Sequence, residues 1–163
     1  MASPRRVWQY GRRLSTALLM AALLAFAAGA LVGTSKLLQI LSTTAGGRFE
    51  TRSEAVAEEF IVTFGLSKAI GNVVAGAVAD LHGRRACMVA GWICGALFSG
   101  LLLLCRSWTA VVWCDLLLGL NQGLCWSAAL FIAHDVLATR RGVASGLIET
   151  AGYAAIAAAS PVV

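Results

Sequence analysis

The chain has 163 residues, 59% of them hydrophobic and 13% charged, with a mean hydropathy of +0.79. A water-soluble domain carries about 25% charged and 45–50% apolar residues, so that class is excluded, as is a disordered chain. The 13 Lys and Arg outnumber the 8 Asp and Glu, yet the bases flank apolar blocks instead of forming one patch, which points to membrane topology and away from nucleic acid.

A bilayer core about 30 Å thick needs about 20 apolar residues of helix, and five stretches reach that length. Residues 1–13 form a basic segment with Arg5, Arg6, Arg12 and Arg13. Arg-rich, acid-free and followed by apolar residues, this segment also fits a secretory signal or an organellar transit peptide. The apolar run is longer than a signal core of about 7–15 residues and no clean cleavage site follows, so a retained first span is expected. The sequence predicts spans over about 14–41, 60–79, 86–105, 108–133 and 142–163, together one domain over 14–163. The connections Asp80–Arg85, Arg106–Ser107 and His134–Arg141 are short, so successive helices must run antiparallel. The expected fold is an all-α, multi-pass integral membrane bundle whose partner along its flanks is the lipid bilayer.

Orientation follows from Lys and Arg in short loops. With the N-terminus cytoplasmic, the inside holds Arg5, Arg6, Arg12, Arg13, Arg84, Arg85, Arg140 and Arg141, and the outside only Arg48, Arg52 and Arg106. The loop between the first two spans adds Glu50, Glu54, Glu58 and Glu59, which fits but steers topology weakly. The expected location is a plasma or an organellar membrane.

The cysteines are Cys87, Cys94, Cys105, Cys114 and Cys125. Their odd number forbids a complete disulfide framework, no CxxC pair occurs, and within apolar blocks cysteine acts as a small hydrophobe. His82 and His134 lack the clustered Cys, His and carboxylate neighbours that a metal needs. Gly29 and Gly33 lie inside the first span without a phosphate-binding GK[ST], and no cofactor is expected.

The run Gly76-Ala-Val-Ala-Asp80-Leu-His-Gly83-Arg84-Arg85 joins the second and third spans. Gly76 offers a small surface for a neighbouring helix. Asp80 ends a helix at the membrane surface, where it can pair with a base or accept from a helix N-terminus. Gly83 permits the positive φ of a tight reversal. Arg84 and Arg85 anchor the turn on the inside.

This run resembles the signature G-x-x-x-D-(R/K)-x-G-(R/K)-(R/K) of the major facilitator superfamily, matching at Gly76, Asp80, Gly83, Arg84 and Arg85 and departing at Leu81, where a base is usual. It also falls between the second and third spans, as in that family. Phe60 to Asn72, Leu117 to Ser127 and Arg141 to Tyr153 continue the likeness to a prokaryotic-type branch. The resemblance implies about five helices of the family's N-terminal six-helix half, and a secondary transporter that carries a small solute by alternating access. It implies that the Gly76–Arg85 loop is a conformational-switch element meeting the opposite half. Two departures bear on coupling to protons or another ion: Asp115 stands where helix four often carries arginine, and Ser160-Pro161 is not the Gly-Pro-rich signature of antiporters.

Ionisable residues inside a membrane are costly and mark functional sites by default. Lys68 lies about 12 Å into the second span at 1.5 Å per residue, in one stripe with Asn72, Gly76 and Asp80; it could serve substrate or coupling, or hold helices together. Glu149 lies about 10 Å into the fifth, on a face with Ser145 and Tyr153 and near Gly142, Gly146 and Gly152, where close helix approach is expected. It is a candidate proton carrier or an interhelical acceptor. Asp115, Gln122 and Trp126 share a face of the fourth span with Gly119; the family resemblance puts helices one and four along the central cavity. Lys36 is a further candidate, though it could snorkel to the interface, and Asn121 could simply bond a neighbouring helix.

The sequence thus reads as the N-terminal part of a solute transporter, expected to act with a C-terminal half or another membrane subunit not present in this chain. A non-transporting membrane scaffold would share the small-residue faces but not the Asp80–Arg85 signature with Lys68 and Glu149. An intramembrane enzyme would need GxGD, GxSG or HExxH, and none occurs.

Overall fold

The computed structural model describes residues 4–43 and 54–159, with side chains described at 15–36, 39, 59 and 61–159. Arg48, Arg52, Glu50 and Ser160-Pro161, and the side chains of Arg5, Arg6, Arg12, Arg13, Glu54 and Glu58, lie outside the described residues. Five helices follow in order: α1 Pro4–Thr43, α2 Glu54–His82, α3 Arg84–Leu104, α4 Trp108–Val136 and α5 Arg141–Ala159. Each contains a segment long and apolar enough to cross a bilayer: Ser15–Lys36, Ile61–His82, Arg84–Leu104, Trp108–Val136 and Arg141–Ala159. A helix satisfies its own backbone within the segment, which hydrocarbon requires.

The helices are longer than the apolar stretches that nucleate them. α1 begins at Pro4, inside the basic segment, where proline suits a first turn because its missing N–H has no partner there anyway. The expected connection Asp80–Arg85 contracts to Gly83 alone, at φ 86. Its N–H donates to Ala79 O at 3.1 Å and its carbonyl accepts from Cys87 N at 3.4 Å, so one residue closes α2 and opens α3. At the other end, Cys105 N–H donates to Leu101 O at 3.1 Å, and Ser107 Oγ accepts from Ala110 N at 3.3 Å. That pair of caps confines the α3–α4 reversal to Cys105–Ser107.

α4 is the central element, touching α1, α2, α3 and α5, and residues 121–129 are buried without interruption. Facing residues fix the topology. Along α3 and α4, Gly91 meets Cys125 and Gly95 meets Asn121, an antiparallel course. Along α2 and α4, Ser67 meets Gly119 and Gly71 meets Gly123, a parallel one. α1 and α5 are likewise parallel, with Gly29 against Gly152 and Gly33 against Ile156.

Small residues make these seams. In lipid, packing rather than water exclusion joins helices, so backbones must come close. α2 buries Ser67, Gly71, Ala75 and Ala79 at four-residue spacing, and a Cβ on Gly123 would stand 2.6 Å from the Gly71 carbonyl carbon. The expected stripe Lys68, Asn72, Gly76 and Asp80 is one residue further round and stays at least partly open. Gly76, Gly142 and Gly146, expected at close approaches, are not: a Cβ on any of them meets nothing within 4 Å. α5 buries Ala144, Ile148, Gly152 and Ala155, and that face turns Gly142 and Gly146 outward. The close contact falls instead at Gly152, against Gly29 and the Trp126 ring. Large apolar side chains such as Val73 and Leu103, 77% and 78% exposed, form the flanks.

Candidate functional site

Lys68, Trp126 and Glu149 come together from α2, α4 and α5. Trp126 is buried, and its indole Nε1 donates to Glu149 Oε1 at 2.7 Å. Lys68 Nζ lies over the same indole, 4.9 Å from the ring centroid. Tyr153 stacks edge-on against Trp126 at 5.4 Å between centroids and 64° between planes, while remaining 58% exposed. Gly152 allows the indole this position, since any side chain there would overlap the ring. One buried aromatic thus carries an ammonium on its face and a carboxylate on its edge, both inside membrane-spanning segments. The ring quadrupole favours this arrangement, with the positive edge toward the anion and the negative face toward the cation. Beside it, Ser127 Oγ donates to Asn72 Oδ1 at 3.2 Å. The cluster can present a positive pole, a negative pole and an aromatic wall to a small molecule.

The other intramembrane candidates are spent on joining helices. Gln122, 1% exposed, donates to Ala28 O of α1 at 2.7 Å. Asn121 donates to Gly91 O of α3 at 2.8 Å. Asp115 is fully buried and accepts from Gln39 Nε2 of α1 at 2.8 Å, while its Oδ2 has no hydrogen-bond partner. Lys36 Nζ lies 5.2 Å from the Phe64 centroid on α2, so its ammonium is engaged within the bundle. Gln39 was not apparent from the sequence, because a single glutamine near the end of a span carries no periodic signal.

At the Gly83 end, Asp80 is exposed and makes no hydrogen bond or ion pair with the described residues. Arg84 pairs instead with Asp135 of α4: Nε donates to Oδ2 at 3.2 Å and an Nη to Oδ1 at 3.4 Å. The guanidinium also covers the Phe131 ring at 5.3 Å, and Arg85 is exposed. Asp135 escaped the sequence reading because it sat in an expected connection, although with Asp80 it is one of two acids among the arginines of that end. His134 and Ser145 tie α4 to α5 there, with Nε2 and Oγ 2.8 Å apart. Among the described residues no group of three His, Cys, Asp or Glu side chains could hold a metal ion.

Residues 18–163 match the sequence model of the Major Facilitator Superfamily. Comparison with curated proteins gives no match.

Proposed function

The chain belongs to the major facilitator superfamily, whose members carry small solutes across membranes, and from that premise we propose that it supplies helices one to five of an alternating-access secondary transporter with its N-terminus in the cytoplasm. Such transporters rock one half against the other around a site near the midplane. The observation that carries the reading is the Lys68–Trp126–Glu149 cluster, a matched pair of charges on one indole within the spans. Lys68 and Tyr153 meet the solute, Trp126 walls it, and Glu149 takes up or releases a coupling proton. Asp115, Gln122, Asn121 and Lys36 hold the helices around that site. The open stripe of Asn72, Gly76 and Asp80 faces a second half, supplied by further sequence or by another subunit. Asp80 with Gly83, Arg84 and Arg85 forms the switch loop that meets it.

The test is a solute screen in proteoliposomes loaded with a pH-sensitive dye, with radiolabel counterflow as a second readout. A solute that moves both label and protons in the native assembly, and moves protons no longer after Glu149→Gln, supports the reading. Counterflow with an identical pH profile in both forms removes Glu149 from coupling. Asp80→Asn is expected to slow counterflow while leaving solute binding intact, and unchanged counterflow would remove the loop from switching.

A further inference from the structure

Four of the five cysteines divide into two kinds. Cys87 and Cys125 are enclosed in the α3–α4 seam, where Cys87 Sγ donates to Leu124 O at 3.4 Å and Cys125 Sγ to Met88 O at 3.8 Å. Cys105 and Cys114 sit at the opposite end of the same two helices and touch each other, with their sulfurs 3.4 Å apart. All five thiols are free. Both Cys105 and Cys114 line an open cavity of about 440 Å³ together with Leu101, Leu104, Arg106 and Ser107. Arg106 and Ser107 are exposed and Cys114 is partly so, while Cys105 is buried, so a water-borne reagent meets Cys114 first.

We propose that Cys105 and Cys114 are a dithiol modification site that oxidises to an intramolecular disulfide, stapling the end of α3 to the start of α4. Three arguments support this. The sulfurs belong to segments held in place by the backbone caps at Cys105 and Ser107, so the contact is maintained by the fold. A disulfide needs the sulfurs at about 2.05 Å, which asks for a shift of little more than an ångström at the ends of two side chains. The orientation proposed above, with the N-terminus in the cytoplasm, puts this end outside, where disulfides persist, and the inference rests on that reading.

The oxidant is a low-molecular-weight disulfide. Cys114, the less buried of the two, attacks it as thiolate, releasing one thiolate and forming a mixed disulfide. The Cys105 thiolate then attacks Cys114 Sγ and displaces the second small thiol. One S–S bond forms for one broken, two electrons pass to the reagent, and the two cysteine protons end on the two released thiols.

Trypsin decides the matter because, between Arg85 and Arg140, its cleavage site is Arg106, between the two cysteines. The full chain in membranes is equilibrated with oxidised glutathione, denatured in the presence of N-ethylmaleimide, digested without reductant and mapped by mass spectrometry. The expected product joins peptide 86–106 to peptide 107–140 through Cys105 and Cys114, with Cys87, Cys94 and Cys125 alkylated. Loss of two alkylation sites should reverse on reduction, disappear with Cys114→Ser and survive Cys125→Ser. Unlinked peptides with Cys105 and Cys114 both alkylated, glutathione retained on both, or a bond mapped to Cys87–Cys125 would each overturn the proposal. The native-chain map decides it even if a variant fails to fold.

Discussion

Trp126→Phe removes the one donor that Trp126 offers Glu149, while leaving an aromatic face beneath Lys68. In the native chain that donor is 2.7 Å from Oε1. A hydrogen bond to a charged group contributes about 1.5–3 kcal/mol in general, whereas interhelical bonds in a bilayer average about 0.6 and reach about 1.7 kcal/mol. The two ranges meet near 1.5 kcal/mol, roughly a tenfold change in the folded to unfolded ratio. The single variant also leaves space where Gly152 now packs on the indole, and that packing loss must be separated from the bond. A double-mutant cycle of Trp126→Phe with Glu149→Leu does so, because the space left by the smaller ring enters both arms and cancels. Reversible unfolding in mixed micelles supplies the four free energies. A coupling of about 1.5 kcal/mol is expected. Additivity within about 0.5 kcal/mol would refute the claim that the pair is energetically joined.

Five further substitutions discriminate contacts elsewhere. The Arg84 and Asp135 side chains are 37% and 60% exposed, so Asp135→Asn should cost no more than about 1 kcal/mol, and the difference should fade in high salt, as unfolding at two ionic strengths will show. Asp115→Asn keeps the acceptor for Gln39 and replaces a buried carboxyl oxygen that has no hydrogen-bond partner, so its thermal midpoint should stay level or rise. Gln39→Leu takes away the 2.8 Å bond and should lower stability by about 1–3 kcal/mol. Gly123→Val drives a side chain into Gly71 of α2 and should cost about 1–3 kcal/mol by overpacking; Gly76→Ala meets nothing within 4 Å and should fall within about 0.5 kcal/mol of native.

The spans were legible because hydrocarbon imposes both length and polarity on any segment that crosses it, and each stretch that met this constraint became a helix. Helix ends were less legible. Arg84, Arg85 and His82 look like loop residues by polarity, yet they are helical because Gly83 reverses the chain unaided. Rotational setting was the least legible quantity. Lys68–Asp80 and Ser67–Ala79 differ by a single residue in phase, and both contain small or polar groups at four-residue spacing, so composition could not say which stripe faces α4. The same limit explains Gly142 and Gly146 against Gly152. Of the intramembrane polar residues, Lys68, Trp126 and Glu149 converge and Asn121 bonds a neighbouring helix; Asp115 and Gln122 were visible as polar but not as fasteners, because their partners are a distant glutamine and a carbonyl.

Two main-chain carbonyls bear on how the molecule tolerates change. Asn121 and Gln122 hold α3 and α1 by donating to the main chain of Gly91 and Ala28, and a main-chain acceptor is present whatever residue occupies the position. At these two contacts chemical identity is therefore demanded of α4, while Gly91 and Ala28 are screened only for size. A saturation library should reflect this asymmetry: Asn121 and Gln122 should reject apolar replacements of equal volume, Ala28 should accept serine, and Gly91 should admit nothing larger. Drift at these two seams is thereby channelled into the accepting positions of α1 and α3, with Asn121 and Gln122 as the fixed points around which they vary.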